Sequence, residues 1–142
     1  MRILFVNNKP YSEILSIIKE IKENNIEITY GIMGSVEGAR KYIESYGKEL
    51  DLIVTSLSLP ITADVETIGT FSGLIVLDAA LINNIKAPII IKTTDKISFP
   101  HSDYLKNYSA ENNIIIEEVE ELTTSYLIEF IKKHQIGETK ED

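Results

Sequence analysis

Five short runs of strand-forming residues alternate with segments whose apolar residues recur at helical spacing, and no other feature of the chain restricts its fold as much. Ile3 to Val6 is a compact apolar run, and Ser12 then opens a stretch in which Ile14, Leu15, Ile17, Ile18 and Ile21 keep a helical period with charge between them. Ile26 to Ile32 is β-branched and aromatic. After Gly34, Ser35 is placed to cap a helix carrying Val36, Ala39, Tyr42, Ile43 and Tyr46, which Gly47 stops. Leu52 to Leu57 predicts a third strand and Leu74 to Ile82 a third helix, ending at Asn83 and Asn84. Pro88 precedes IIIKTTD, the cleanest β-run, which the turn-like KISFPHSD bounds; a short helix is expected near Tyr104 to Tyr108. Ile114 to Ile116 supplies the fifth strand. Leu122, Tyr126, Leu127, Phe130 and Ile131 mark a terminal helix, and Lys132, Lys133 and His134 at its end suit the helix dipole.

Strands this apolar need cover on both faces, so the alternation predicts an α/β chain, a parallel five-stranded sheet inside a three-layer sandwich. The right-handed crossover rule leaves few topologies, and the flavodoxin-like (βα)5 order 2-1-3-4-5 is the natural one. At 142 residues, without internal repeat or linker, the chain is expected to be one domain over residues 1–135. Residues 136–142 are expected to form a disordered acidic tail, with no further domain after it.

Composition removes several chemistries. There is no cysteine, which excludes disulfides, thiolate metal sites and cysteine nucleophiles. His101 and His134 share no ligand-type spacing, so neither a metal nor a cofactor is expected. The opening MRILFVNN lacks the pattern of a signal peptide, and no apolar run nears the roughly twenty residues a membrane span needs. A formal charge of −8 disfavours nucleic acid and anionic membranes as partners. A cytoplasmic location is expected.

Ligand chemistry in such sheets gathers at the carboxyl ends of the strands, which here carry Asn7 and Asn8, Ser56 and Thr93. ILFVNN, DLIVTSLSLP, APIIIKTTD and IIIEEVEEL together resemble the receiver domains of bacterial response regulators, and the likeness runs over nearly the whole chain. The resemblance implies two acidic residues after the first strand that hold magnesium and a phospho-accepting aspartate on the third. It further implies a Ser or Thr after the fourth strand and a Lys-Pro pair after the fifth. At these places stand Asn7 and Asn8, Ser56, Thr93, and Glu117 or Glu118. The implied protein is a non-enzymatic pseudo-receiver that signals through another protein or a second copy of itself. By the same resemblance, Tyr104, Tyr108, Tyr126 and Phe130 mark the interaction face. The competing reading is a small-molecule-binding or enzymatic flavodoxin-like domain with a neutral pocket at Asn7, Asn8, Ser56 and Thr93.

Three further features stand out. The stretch 61–73, with Asp64 and Glu66, is longer than the loop typical of receivers at this place and reads as a lid, a binding loop or a neutral insertion. LIVLDAALI carries Asp78 as its sole charge, which implies burial on more than one side or a contact surface. Gly31, Gly34 and Gly38 lack the ending of a phosphate-binding loop and suit turn and packing duties. His101, after Pro100, is expected in an exposed polar loop.

Overall fold

The computed structural model describes residues 1–63, 68–69, 71–93 and 101–137. Strands β1 (Arg2–Val6), β2 (Thr29–Met33) and β3 (Leu52–Ser56) alternate with helices α1 (Ser12–Glu23) and α2 (Val36–Tyr46), the latter followed by a 3-10 turn at Gly47–Glu49. Two short strands, β4 (Leu59–Pro60) and β5 (Ile68–Gly69), pair antiparallel as a hairpin before α3 (Gly73–Ile82). The chain continues through β6 (Ile89–Lys92), α4 (His101–Asn112), β7 (Ile116–Val119) and α5 (Thr124–Lys133). The main sheet is parallel in the order β2-β1-β3-β6-β7, the 2-1-3-4-5 order expected for five alternating βα units.

Two apolar layers hold the sandwich. Ile14, Ile17, Ile18 and Ile21 of α1, with Leu127, Phe130 and Ile131 of α5, pack on Ile3, Phe5, Leu52, Val54 and Ile90. Val36, Ala39 and Ile43 of α2 and Val76, Leu77 and Ala80 of α3 pack on Leu4, Val6, Ile53, Ile89 and Ile91, with Leu105 of α4. Successive strand residues therefore feed opposite layers, as a pleated sheet covered on both faces requires. Leu15, expected in the apolar stripe of α1, is 48% exposed.

Four helices end in the same way, and this corrects several expected boundaries. Asn25, Asn84, Asn113 and Gln135 adopt positive φ, between 52° and 62°. The isoleucine after each returns its N–H to the helix: Ile26 to Ile21, Ile85 to Ala80, Ile114 to Ser109 and Ile136 to Ile131. This is the Schellman closure, in which a left-handed residue satisfies the last carbonyls and the next residue docks on the final turn. Ile26 and Ile114 are therefore helix closures, so β2 begins at Thr29 and the last strand is Ile116–Val119, not Ile114 to Ile116. Ile136 is likewise 8% exposed and packed in the core, so the domain runs past residue 135; the rest of the expected tail from 138 lies outside the described residues.

α2 is capped as expected, with the Ser35 hydroxyl accepting from the Gly38 N–H at 3.1 Å. α4 is longer than the short helix expected and begins at His101, which is thus no loop residue. Pro60 takes part in the β4–β5 pairing, so part of the 61–73 stretch is hairpin; Asp64 and Glu66 lie outside the described residues. Among the described residues no helix is long and apolar enough to cross a membrane.

Candidate functional site

At the carboxyl edge of the sheet, the side chains following Phe5, Val54 and Ile90 by two positions share one face by strand alternation. They are Asn7, Ser56 and Lys92. Ser56 is 8% exposed, and its hydroxyl donates to Asn7 Oδ1 at 2.7 Å. Asn7 Nδ2 donates to the Asn8 carbonyl at 2.9 Å, and Asn8 Oδ1 accepts from the Lys9 N–H at 3.0 Å. The row is thus closed by neutral hydrogen bonds. Its one charge is Lys92, whose side chain is 14% exposed and whose Nζ lies 3.8 Å from Glu13 Oε2 of α1.

The backbone around Ser56 is fixed from three directions. Thr55 Oγ1 donates to the Ser56 carbonyl, Leu57 N–H to the Lys92 carbonyl, and Gly73 N–H to the Leu57 carbonyl at 2.8 Å. α3 abuts the strand so closely that a Cβ at Gly73 would collide with the Ser56 carbonyl oxygen and stand 2.9 Å from Leu57 Cα. Glycine is required there for close approach, not for an unusual φ. The hairpin is tied in as well, since the Ser72 hydroxyl bonds both the N–H and carbonyl of Leu59 and Ile61 accepts the Glu37 N–H.

Three residues expected at this site form no hydrogen bond with Ser56. Thr93 Oγ1 donates to the Val119 carbonyl at 3.3 Å, so its hydroxyl is turned to β7. Glu117 lies inside β7, where Tyr126 Oη donates to Oε1 at 2.9 Å and His134 Nε2 lies 3.3 Å from Oε2. Burial and the Glu117 carboxylate together raise the Tyr126 phenol well above its ordinary range. Glu118 is exposed, and the residue leaving β7 at the carboxyl edge is Glu120. Among the described residues no three His, Asp or Glu gather as a metal cluster.

The four aromatic residues expected on one interaction face lie on α4 and α5, which flank the edge strand β7 from opposite sides of the sheet. Tyr108 packs with the α2–α3–α4 layer and its hydroxyl donates to the Leu77 carbonyl at 3.3 Å, whereas Tyr126 packs with the α1–α5 layer. Phe130 is 3% exposed and belongs to the core, because its spacing with Leu127 and Ile131 sets it on the inner side of α5. Tyr104 alone of the four is exposed. Sequence reasoning missed Lys92 and Glu13. The available signal was the lysine interrupting IIIK where that strand reaches the carboxyl edge.

No protein-family model matches the chain, and no curated protein matches it in sequence. Solved structures do. The signal receiver domain of a LuxO repressor protein from Vibrio parahaemolyticus superposes with a TM-score of 0.63 at 22% identity, over 94% of this chain and 88% of that one. The chain has the receiver-domain fold. A LuxR-family DNA-binding response regulator from Staphylococcus aureus gives 0.62 at 21% identity, over 94% and 98%. The Mn2+-bound response regulator Rcp1 gives 0.62 at 15% identity, over 99% and 98%. On the receiver fold, the Asn7–Ser56–Lys92 row occupies the carboxyl ends of β1, β3 and β6, the strand ends that open α/β sheets use for ligands, beside the point where the strand order reverses.

Proposed function

We propose that this chain is a pseudo-receiver, a regulatory module that binds another protein or a second copy of itself and works without phosphorylation of its third strand. One observation carries the reading: the group at the end of β3 is the Ser56 hydroxyl, donated to Asn7 at 2.7 Å, where the receiver resemblance implies a carboxylate. Acyl-phosphate formation needs a carboxylate nucleophile, and a serine hydroxyl is weak without a base beside it. Here the acceptor beside it is a neutral amide.

The resemblance also implies a magnesium ion, and the residues present do not fit one. Magnesium is a hard cation that relies on carboxylates for charge. Asn7 Oδ1 is occupied by Ser56 and Asn8 Oδ1 by Lys9 N–H, while Lys92 brings an ammonium into the same row. The fold is kept and its output comes from contact, since among the described residues no group at this edge is placed for group transfer.

Incubation with acetyl phosphate and magnesium, followed by intact mass measurement, should give no stoichiometric phosphate adduct; such an adduct removed by Ser56→Ala would end this reading. The triple variant Asn7→Asp, Asn8→Asp, Ser56→Asp should bind Mn2+ or Mg2+ measurably better than wild type by calorimetry. Equal binding would mean that the metal edge of the fold is not at these residues.

A further inference from the structure

A cavity of about 470 Å³ opens beside the row without including it. It lies between the loop after β1, the start of α2 and the β4–β5 hairpin, and of the strand-end residues only Asn8 reaches it. Its volume is in the range that holds small organic ligands.

The lining has two characters. Ile32, Met33 and Pro60 give an apolar wall. Asn8, Lys9 and Tyr11 give the polar side, and their free groups are donors. Asn8 Oδ1 is used by the Lys9 N–H, and its amide nitrogen makes no hydrogen bond among the described residues. The Lys9 ammonium forms no ion pair among the described residues, and the Tyr11 hydroxyl makes no hydrogen bond there.

Glycine keeps the space open. Gly38 faces the cavity, where a Cβ would meet Ser35 Oγ at 3.2 Å and Met33 Sδ at 3.5 Å, and anything larger would enter the void. Gly34 leaves room for the Tyr11 hydroxyl, which a side chain at that position would displace.

Among the described residues no acidic one lines the cavity, although the chain carries 22 acidic and 14 basic residues. Glu37, the acid of the first turn of α2, is paired with Lys41 at 3.0 Å. Charges farther off are screened within roughly 8 Å at physiological salt, so the local Lys9 outweighs the overall negative charge for a bound ion.

We propose that this cavity binds a small organic anion, its phosphate or carboxylate head held by Lys9, Tyr11 and Asn8 and its apolar or aromatic body laid on Ile32, Met33 and Pro60. This adds an input to the phosphorylation-independent module proposed above. It rests on the cavity and not on the loss of the phospho-acceptor, so either reading can fail while the other stands.

Amide NMR titration of the full chain tests it. The probes are 5′-AMP and indole-3-acetate, each with its neutral counterpart, adenosine and indole-3-ethanol. At least one anion should shift Gly34, Ser35 and Gly38 saturably with a Kd below about 1 mM. Its neutral counterpart should bind about tenfold more weakly, and Lys9→Ala should remove that difference because the charge-assisted contact is gone. Gly38→Leu should abolish binding of both members of the pair. AMP alone binding would assign the head as phosphate and indole-3-acetate alone as carboxylate. No saturable shift from either anion at 10 mM, shifts centred on other residues, or undiminished anion binding by Lys9→Ala would overturn the proposal.

Discussion

Two polar clusters lie on the face of the sheet that α1 and α5 cover. Along the carboxyl edge, Asn7 and Ser56 satisfy each other without charge, and the nearby ammonium of Lys92 is directed to Glu13 on the surface helix. On the flank of β7, a half-buried carboxylate is kept: Glu117 receives the Tyr126 hydroxyl on one oxygen and faces the His134 ring with the other. A charge taken out of water is tolerated where donors meet it and is costly where they do not. At Glu117, β7 presents the acid, and α5 with its cap residue His134 supplies both partners. At Ser56 the neighbours are an amide oxygen and closed backbone, which suit a hydroxyl. Placement of charge thus follows the local supply of partners: among the described residues the acid stands on the β7 flank, while the ends of β1 and β3 carry an amide and a hydroxyl.

The contrast can be broken most severely by disturbing the closed backbone at the edge. Gly73→Ala places a Cβ against the Ser56 carbonyl and Leu57 backbone, neither of which can rotate away. A loss of about 3 kcal/mol in unfolding free energy is expected by denaturant titration, the upper range for overpacking. A change under about 1 kcal/mol would show that α3 can slide from the strand end and that the edge is not rigid. Next in size is Ser56→Asp. It sets a carboxylate against Asn7 Oδ1 and should cost about 2 kcal/mol at neutral pH, in the range for an unmatched buried polar group. That loss should shrink on acidification, as the new carboxyl takes up a proton and can donate to Asn7 as the serine does. A pH-independent loss would point to steric causes.

Much of the fold was legible, and the reasons for the misses are physical. The 2-1-3-4-5 order followed from alternating periods and the crossover rule, which do not depend on fine boundaries. The boundaries failed where an isoleucine after a helix looked like the start of a strand. Asn24-Asn25-Ile26, Asn83-Asn84-Ile85 and Asn112-Asn113-Ile114 are one repeated signal, an asparagine able to adopt positive φ followed by a residue that docks back on the helix. Read as closures, they place the strands correctly. That Asn7 and Ser56 share the carboxyl edge was legible because both stand at strand ends; the bond between them was not. Glu117 was misplaced with its strand: once β7 is moved to end at Val119, this acid sits two positions inside the edge. Phe130 was assigned outward by resemblance although its own spacing set it inward. Lys92 was hidden because a parallel register, not sequence, brings it beside Ser56 and toward α1.

Glu117→Gln sharpens the comparison from the other side. It keeps the shape but removes the charge from both contacts, and a loss of about 1.5 kcal/mol is expected. The phenols add a pH signature. Burial, then Glu117, raises the Tyr126 phenol, and burial, then Asp78, pushes Tyr108 up to about 12 from an ordinary 10. Above pH 10 the unfolded chain therefore loses these protons before the folded one does. Their stabilising contribution is whole below that value and declines as pH climbs through the raised ones. Tyr126→Phe should flatten the alkaline fall in stability measured between pH 9.5 and 11.5, roughly the interval between the two states' titrations. An unchanged slope would mean that the Glu117 cluster does not hold the phenol proton.

The smallest effect is expected at Lys92, and its smallness is what the comparison requires. Two unit charges near 4 Å attract by about 1 kcal/mol in water and about 4 kcal/mol at a protein surface dielectric. Glu13 is 60% exposed, so the pair with Lys92 at 3.8 Å lies toward the first limit, and holding two long side chains offsets part of the gain. Lys92→Met, which keeps the buried stem and removes the ammonium, should change stability by no more than about 0.5 kcal/mol at physiological salt. Raising the salt to about 1 M should narrow the difference further, because the pair is screened. In the Ser56→Asp background the same substitution should cost distinctly more, since Lys92 is the one cation in the row that can meet the new carboxylate. A double-mutant cycle reads that coupling directly. If Lys92→Met alone proves as damaging as Glu117→Gln, the edge depends on its charge as much as the β7 flank does, and the distinction between a neutral edge and a charged flank falls.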